Sequence, residues 1–254
     1  MNPIEVYKKL PQKNCGKCSV GTCMAFAVHY LRRQIKLSEC CELDDAGRAY
    51  IENMHISKPP PEDWKAKRFD VLMKEIAGTD FAGIADSIGA TVYGDSGSVS
   101  VMYMGKKITV SPSGIKDDIM MIAKLLVLLY LKKAGSMPLS GKWVNFRDLK
   151  GGGVKSSSFQ QECETPIKKM FEEDKDRLLE KLSAICTEND TGDSSDHSFV
   201  ILGLPRIPMK VLLWEPDDEF GADCKVLFDS TATDYLDIES LCYMGENLVT
   251  MLNS

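Results

Sequence analysis

Five of the nine cysteines, Cys15, Cys18, Cys23, Cys40 and Cys41, fall within 27 residues near the N-terminus, and four of them read C-x2-C-x4-C-x16-C. Three thiolates within nine residues can wrap three corners of one iron–sulfur cube, and a fourth closes it, since a [4Fe–4S] cluster takes four cysteine ligands. Gly16 and Gly21 let the backbone turn sharply between them. Cys23 stands where the next helix is expected to start, and the positive end of a helix favours thiolate and an anionic cluster. The expected metal ligands are therefore Cys15, Cys18, Cys23 and Cys40, and the expected cofactor is one [4Fe–4S] cluster. A structural zinc site prefers two short CxxC-type pairs, and only one is present. A radical-SAM triplet has a different spacing. Four ligands close the cluster, which favours electron transfer or structure over substrate binding at iron.

The other cysteines, Cys163, Cys186, Cys224 and Cys242, are scattered and read as core thiols. No apolar signal core precedes Cys15, so the expected compartment is the reducing cytoplasm, where clustered cysteines mean metal rather than disulfides. The most apolar run, Ile119 to Leu131, is interrupted by Lys124. It is shorter than the roughly 20 residues of a membrane span and is expected to be a core helix.

The net charge is −6, which argues against non-specific nucleic-acid binding. Its distribution is uneven. Residues 1–36 carry Lys8, Lys9, Lys13, Lys17, Arg32, Arg33 and Lys36 against Glu5 alone, a net +6, and the rest of the chain nets −12. These cations either compensate an anionic cluster or dock an acidic redox partner, where charge mainly speeds encounter. His29 reads as a helix-surface residue.

The hydrophobic pattern divides the chain into an iron–sulfur module, residues 1–57, and a larger domain, residues 62–254, joined by Lys58-Pro59-Pro60-Pro61. In the module, helices are expected over residues 3–9, Cys23 to Lys36 with Met24, Val28, Leu31 and Ile35 on one face, and Asp44 to His55 with Asp44 or Asp45 as cap. The larger domain opens with helices at Glu62 to Ala77 and Phe81 to Ile88. An antiparallel meander follows over Thr91–Tyr93, Ser98–Met104 and Lys106–Val110, with turns at Asp95-Ser96-Gly97 and Met104-Gly105-Lys106. Next come a helix at Asp118–Lys132, irregular chain through Pro138–Lys155, and a long helix from Phe159 to Cys186 in which Pro166 marks a start or a break. A polar loop at residues 187–197, strands at Phe199–Leu202, Lys210–Trp214 and Lys225–Phe228, and a closing helix at Asp237–Leu252 complete the pattern. Helices and strands come in blocks, so the expected fold class is α+β, with a small helical module and a mixed domain of antiparallel sheet and packed helices.

Leu10-Pro11, Asn14-Cys15-Gly16, Gly21, Met24-Ala25-Phe26-Ala27 and the position of Cys40 together resemble the four-cysteine cluster module of the corrinoid iron–sulfur protein large subunit. Similar modules occur in the ferredoxin-like subunit of Rnf-type electron-transfer complexes. The resemblance covers residues 8–43 and implies a [4Fe–4S] cluster in a corrinoid or methyl-transfer setting, with a redox or corrinoid protein as partner and a corrinoid or other cofactor nearby. Relatives usually place proline after the last cysteine, where this chain has Cys41, so Cys40 and Cys41 both stand as candidates for the fourth ligand. Residues 138–153 and 199–236 resemble a prokaryotic domain family of unknown function found in anaerobes and methanogens. That resemblance covers residues 65–252 and implies an architecture without an activity.

Within the larger domain, Trp143, Arg147, Arg206 and Asp218 are candidates to line one pocket for a flat or anionic ligand; Trp214 joins that list. Glu215, Asp217, Asp218 and Glu219, with Asp229 downstream, offer carboxylates for a cation or for acid–base work. Their simpler reading is a solvated acidic turn. Gly151-Gly152-Gly153 lacks the context of a phosphate loop. About 190 residues are too few for a (β/α)8 corrinoid barrel, typically about 250. Three functions remain open: a one-electron transfer or redox accessory protein of anaerobic metabolism, an enzyme with its pocket in the C-terminal domain, and a binding or assembly factor with a structural cluster.

Overall fold

A computed structural model describes residues 3–31, 34–55, 64–94, 97–187 and 194–254. The linker prolines, Arg32, Arg33, Asp95, Ser96, Glu62 and most of the 187–197 loop lie outside the described residues. The chain divides into two compact units, Met1–Trp64 and Lys65–Ser254.

The first unit holds helices α1 (Pro3–Tyr7), α2 (Cys23–Leu31) and α3 (Asp45–His55), with a 3-10 turn at Leu37–Glu39. Its core is small: Val6, Leu10, Phe26, Ala27, Leu37, Cys40, Leu43 and Ile51. The face that α2 buries is Phe26 and Ala27, with Tyr30 and Leu31 packed beside them, rather than the expected Met24 and Val28 face; Met24 is exposed. The helix also ends earlier than its apolar pattern implies. Gln34 N–H closes back on His29 C=O at 3.0 Å, and Lys36 is already extended. Such a bond across five residues is a helix stop. Asp44 caps α3, its Oδ1 accepting from Gly47 N–H at 2.7 Å.

The second unit is α+β, with two four-stranded antiparallel sheets. Helices α4 (Trp64–Ile76) and α5 (Phe81–Ile84) precede the meander β1 (Thr91–Tyr93), β2 (Ser98–Tyr103), β3 (Lys106–Ser111) and β4 (Gly114–Ile115). Helix α6 (Met121–Lys133) buries Ala123, Leu125, Leu126, Val127, Leu128, Tyr130 and Leu131, so it is wrapped on nearly every side. Lys124, the charge inside that run, donates to Ile115 C=O at 3.0 Å. Among the described residues no helix is long and apolar enough to cross a membrane.

The second sheet has the order β5-β8-β7-β6, with β5 at Trp143–Asn145, β6 at His197–Leu204, β7 at Ile207–Trp214 and β8 at Asp223–Asp229. Strand β7 is central and buried from Ile207 to Leu213. The two sheets are tied where Met104, at φ 43°, donates to Leu202 C=O at 3.0 Å.

Two expectations need correction here. Residues 138–155 are not irregular throughout: β5 pairs with β8 through Trp143↔Asp229, Val144↔Phe228 and Asn145↔Leu227, and helix α7 (Gly152–Phe159) begins inside the glycine triplet. Gly151 takes φ 82°, and a side chain on Gly152 would come 1.9 Å from Phe146 C=O, so these two glycines serve backbone packing. The long helix is also broken. A π-helical turn at Gln160–Glu164 follows α7, then come α8 (Thr165–Glu173) and α9 (Lys175–Ile185), separated at Asp174 (φ −153°), which caps α9. Pro166 sits within the first two positions of α8, where its missing N–H costs nothing. Helices α10 (Ala232–Tyr235) and α11 (Ile238–Asn253) close the chain, α11 burying Leu241, Cys242, Met244, Gly245, Asn247, Leu248 and Leu252.

Candidate metal centre

The loop between α1 and α2 is unusually shaped. Gln12, Asn14 and Gly16 have φ of 57°, 46° and 67°, three left-handed residues within five positions. Asn tolerates this region better than most residues and Gly adopts it freely. The turned loop brings Asn14 Oδ1 to Cys23 N–H at 2.8 Å, while Thr22 Oγ1 accepts from Ala25 N–H at 3.1 Å and caps α2. One side chain thus fixes the distance between the first cysteines and the third, and a second starts the helix on Cys23.

Cys15, Cys18, Cys23 and Cys40 line one cavity, floored by Leu10 and Phe26. Cys15 is exposed, Cys18 and Cys23 are half-buried, and Cys40 is 4% exposed within the module's core. Cys41 is exposed and takes no part in the cavity. The turn Leu37–Glu39 makes this choice: Cys40 N–H closes on Leu37 C=O at 3.1 Å and directs the Cys40 side chain inward. Glu39 anchors the turn, accepting from Lys36 N–H at 2.8 Å and Ser19 Oγ at 2.7 Å, and these bonds hold its carboxyl below the usual range.

Burial, followed by the neighbouring Cys40, pushes the Cys18 thiol up to about 11. Thiols gathered at one place resist ionisation together unless cations share the charge, the electrostatic condition that a metal cluster meets.

The basic character of residues 1–36 is met from within the same unit. Glu42 accepts from Lys13 at 2.8 Å and Lys17 at 2.7 Å, and these two hydrogen bonds bring its carboxyl to about 2. Over residues 1–64, nine Lys and Arg face eight Asp and Glu. The cations beside the cysteines form part of a nearly neutral module.

The four candidates in the larger unit are not brought together. Trp143 lies on the short strand β5, its ring 5.6 Å from Nζ of buried Lys210. Arg147 is exposed in a 3-10 turn after β5. Arg206, in the β6–β7 turn, donates to Ser87 C=O at 3.0 Å and Asp86 C=O at 2.7 Å, pinning that turn to the segment after α5. Asp218 lies in the β7–β8 loop, at the opposite end of β7 from Arg206. The seven steps from Ile207 to Trp214 separate those ends by about 23 Å at ~3.3 Å per residue. A pocket holding all four residues is ruled out by strand length.

The acidic run beside Asp218 is a self-bonded turn. Asp217 Oδ1 accepts from Glu219 N–H at 2.8 Å and Phe220 N–H at 2.7 Å, while Glu215 pairs with Lys175 at 2.9 Å and His197 at 3.1 Å. Asp229 is structural too. It is 3% exposed and accepts from Ser140 N–H and Oγ, Gly141 N–H, and Thr231 N–H and Oγ1 at 2.6–3.2 Å. Burial alone would raise its carboxyl, but the Thr231 and Ser140 bonds outweigh that and hold it below the usual range.

Comparison with known proteins divides along the same two units. Residues 10–41 match the family model described as "Putative Fe-S cluster". The N-terminal region is 39% identical over 51 residues to the acetyl-CoA decarbonylase/synthase complex subunit gamma of Methanothermobacter thermautotrophicus, covering 20% of this chain and 11% of that protein. It is 40% identical over 58 residues to the corrinoid/iron-sulfur protein large subunit of Moorella thermoacetica, covering 23% of this chain and 12% of that one. Another gamma subunit, from Methanosarcina acetivorans, is 54% identical over 39 residues, 15% of this chain and 8% of that protein. The chain therefore spans about a tenth of the length of the curated relatives it matches. No solved structure matches it. Over residues 80–251, more than half of the chain, the match is to the model described as "Domain of unknown function (DUF3786)", and the chain belongs to that family.

Proposed function

We propose that Cys15, Cys18, Cys23 and Cys40 hold one [4Fe–4S] cluster and that the protein is a one-electron carrier or redox accessory of anaerobic one-carbon metabolism, working with a protein partner. The observation that carries this reading is the joining of those four thiols, and not Cys41, around a single cavity in a segment that matches an iron–sulfur family. Complexes named for acetyl-CoA and corrinoid chemistry supply the metabolic setting, through relatives that share the module alone.

A bound cluster of this type supplies one reversible electron. The chain's own residues do the rest. Asn14 and Thr22 fix Cys23 at the positive end of α2, a place that suits an anionic cluster. Leu10, Phe26 and Cys40 close the inner side against water, and exposed Cys15 leaves the outer side within reach of a partner's redox centre. A corrinoid is the partner's cargo in this reading. All strand pairs of the second unit are antiparallel among the described residues, which offers no (β/α)8 barrel to hold one.

The test is anaerobic purification with iron and sulfide quantitation, then EPR before and after dithionite. About four irons per chain and a new spin-half signal on reduction are expected. Zinc in place of iron overturns the cluster. Iron that dithionite cannot reduce favours a purely structural role.

A further inference from the structure

A cavity of about 240 Å3 lies among Tyr103 at the end of β2, Lys106 at the start of β3, the 118–120 segment leading into α6, and one face of α11. That is far more than the roughly 10–15 Å3 needed to admit one water. Its walls are Ile119, Met120, Ala123 and Met251, and its polar groups are two of the most enclosed in the unit: Tyr103 is 4% and Asn247 3% exposed. Asn247 Nδ2 donates to Tyr103 Oη at 2.7 Å. This bond uses the acceptor of one group and a donor of the other. The Tyr103 hydroxyl proton and Asn247 Oδ1 are left with no partner among the described residues. Asn247 Oδ1 is also not among the sealed unpartnered side-chain atoms, which are Arg48 Nε, Ser195 Oγ and Ser198 Oγ, so it opens onto the cavity. Burial raises the Tyr103 hydroxyl well above its ordinary value, which keeps it a neutral donor.

One donor and one acceptor held side by side at the end of an apolar slot select their complement. A hydrocarbon leaves both buried groups unpaired, which costs binding. A carboxylate can accept from Tyr103 but offers Asn247 Oδ1 no proton and brings a charge into an apolar place. A carboxamide or lactam edge offers its C=O to Tyr103 and its N–H to Asn247 at once. Lys106 and Asp118 are exposed lining residues of opposite charge, so their potentials partly cancel and neither sign of ligand is singled out. Methionines on two sides can adapt to a flat body. We propose that the Tyr103–Asn247 cavity binds a small, uncharged, flat molecule by its carboxamide or lactam edge. This site is independent of the cysteine module and stands or falls without it.

Benzamide is the probe, with toluene and benzoate as size-matched comparators, titrated into the full chain by calorimetry and by saturation-transfer NMR. Benzamide is expected to bind more tightly than either comparator. Tyr103→Phe, which removes the donor, is expected to weaken it about tenfold, the equivalent of one hydrogen bond. Met251→Trp, which fills the slot from its half-exposed side, is expected to abolish binding even if Tyr103→Phe proves unstable. Absence of benzamide binding, equal or tighter binding of toluene or benzoate, or benzamide binding unchanged by Met251→Trp overturns the site.

Discussion

The two units use cysteine in opposite ways, and the contrast lies in what surrounds the sulfur. In the first unit the thiols sit on a polar, glycine-bearing loop at the edge of a core of eight residues, and Cys40 is the one that faces inward from that core. In the second, Cys163 and Cys224 are enclosed by apolar side chains, and burial pushes both thiols well above their ordinary range. Cys242 is pushed to about 12, again by burial first. A thiolate is what binds metal and reacts. The same residue lines a shared cavity in the first unit and is packed among apolar side chains, as Cys163 and Cys224 are, in the second.

Removing the cluster is the largest perturbation the contrast predicts. Among the described residues the first unit buries a core of eight, and a core that small supplies only a few kcal/mol, so a bound cluster is expected to contribute much of its stability. Chelation of iron is expected to collapse hydrogen-exchange protection in residues 3–55 while leaving that of residues 97–254 in place; loss in both, or in neither, breaks the distinction. Cys40→Ala should lose iron and Cys41→Ala should keep it, as read by iron content per chain. The reverse result would move the fourth ligand to Cys41.

Next in size is packing in the second unit. Phe146, Phe159 and Phe228 form one aromatic group, with centroids 4.1 Å apart for the stacked Phe146–Phe159 pair and 5.7–6.1 Å for Phe228 against each of them. Phe228→Ala should cost about 3–5 kcal/mol in denaturant unfolding with the iron content unchanged. Loss of iron in that variant would mean that the units are energetically joined.

A smaller effect is expected at Asp229. Asp229→Asn should cost about 1–3 kcal/mol, because a neutral amide cannot accept all five bonds. The sign of its pH dependence follows from the lowered folded value. The stabilisation is full above the unfolded carboxyl's pKa of about 3.9 and is lost as pH falls through the lower folded value. Acid unfolding of the variant should be flatter than that of the parent below pH ~4; an unchanged acid limb would remove Asp229 from the stability of the sheet. The smallest effect concerns reactivity alone. In the cluster-loaded native chain, an alkylating reagent should mark Cys41 and spare Cys163 and Cys224 until the second unit unfolds.

How much of this was legible in the sequence follows the range of the interactions. The cysteine spacing, the helix start at Cys23 and the Asp44 cap depend on residues within a few positions of each other, and all can be read along the chain. The choice between Cys40 and Cys41 depends on the turn at Leu37–Glu39, which Ser19 helps to anchor from 20 residues away, and adjacent identical residues give no local signal. In the larger unit, α6 and six of the eight strands announce themselves by their apolar or alternating runs, while the short β4 and β5 do not. The breaks between Gly152 and Ile185 do not, since the residues of the π-helical turn have ordinary helical character and are set by packing on α11. There a side chain on Gly245 would come 2.6 Å from Phe159 and 3.0 Å from Cys163. Tyr103 and Asn247 lie 144 positions apart, and an Asn on the buried face of an amphipathic helix is a faint trace of their pairing in the sequence. Trp143, Arg147, Arg206 and Asp218 misled for the same reason in reverse. Residue type nominated them, and only strand length could show that they lie apart.

The π-helical turn also bears on how the second sheet ends. Strand β5 covers β8 only as far as Leu227, and the π-helical turn packs against β8 beyond it. Glu164, carried inward by the turn, places Oε1 3.2 Å from Val226 N–H, the next position along, and Oε2 3.1 Å from Lys225 Nζ. A carboxylate thus takes the place of a fifth strand, and the sheet ends in a side chain rather than in an open row of backbone donors at that position.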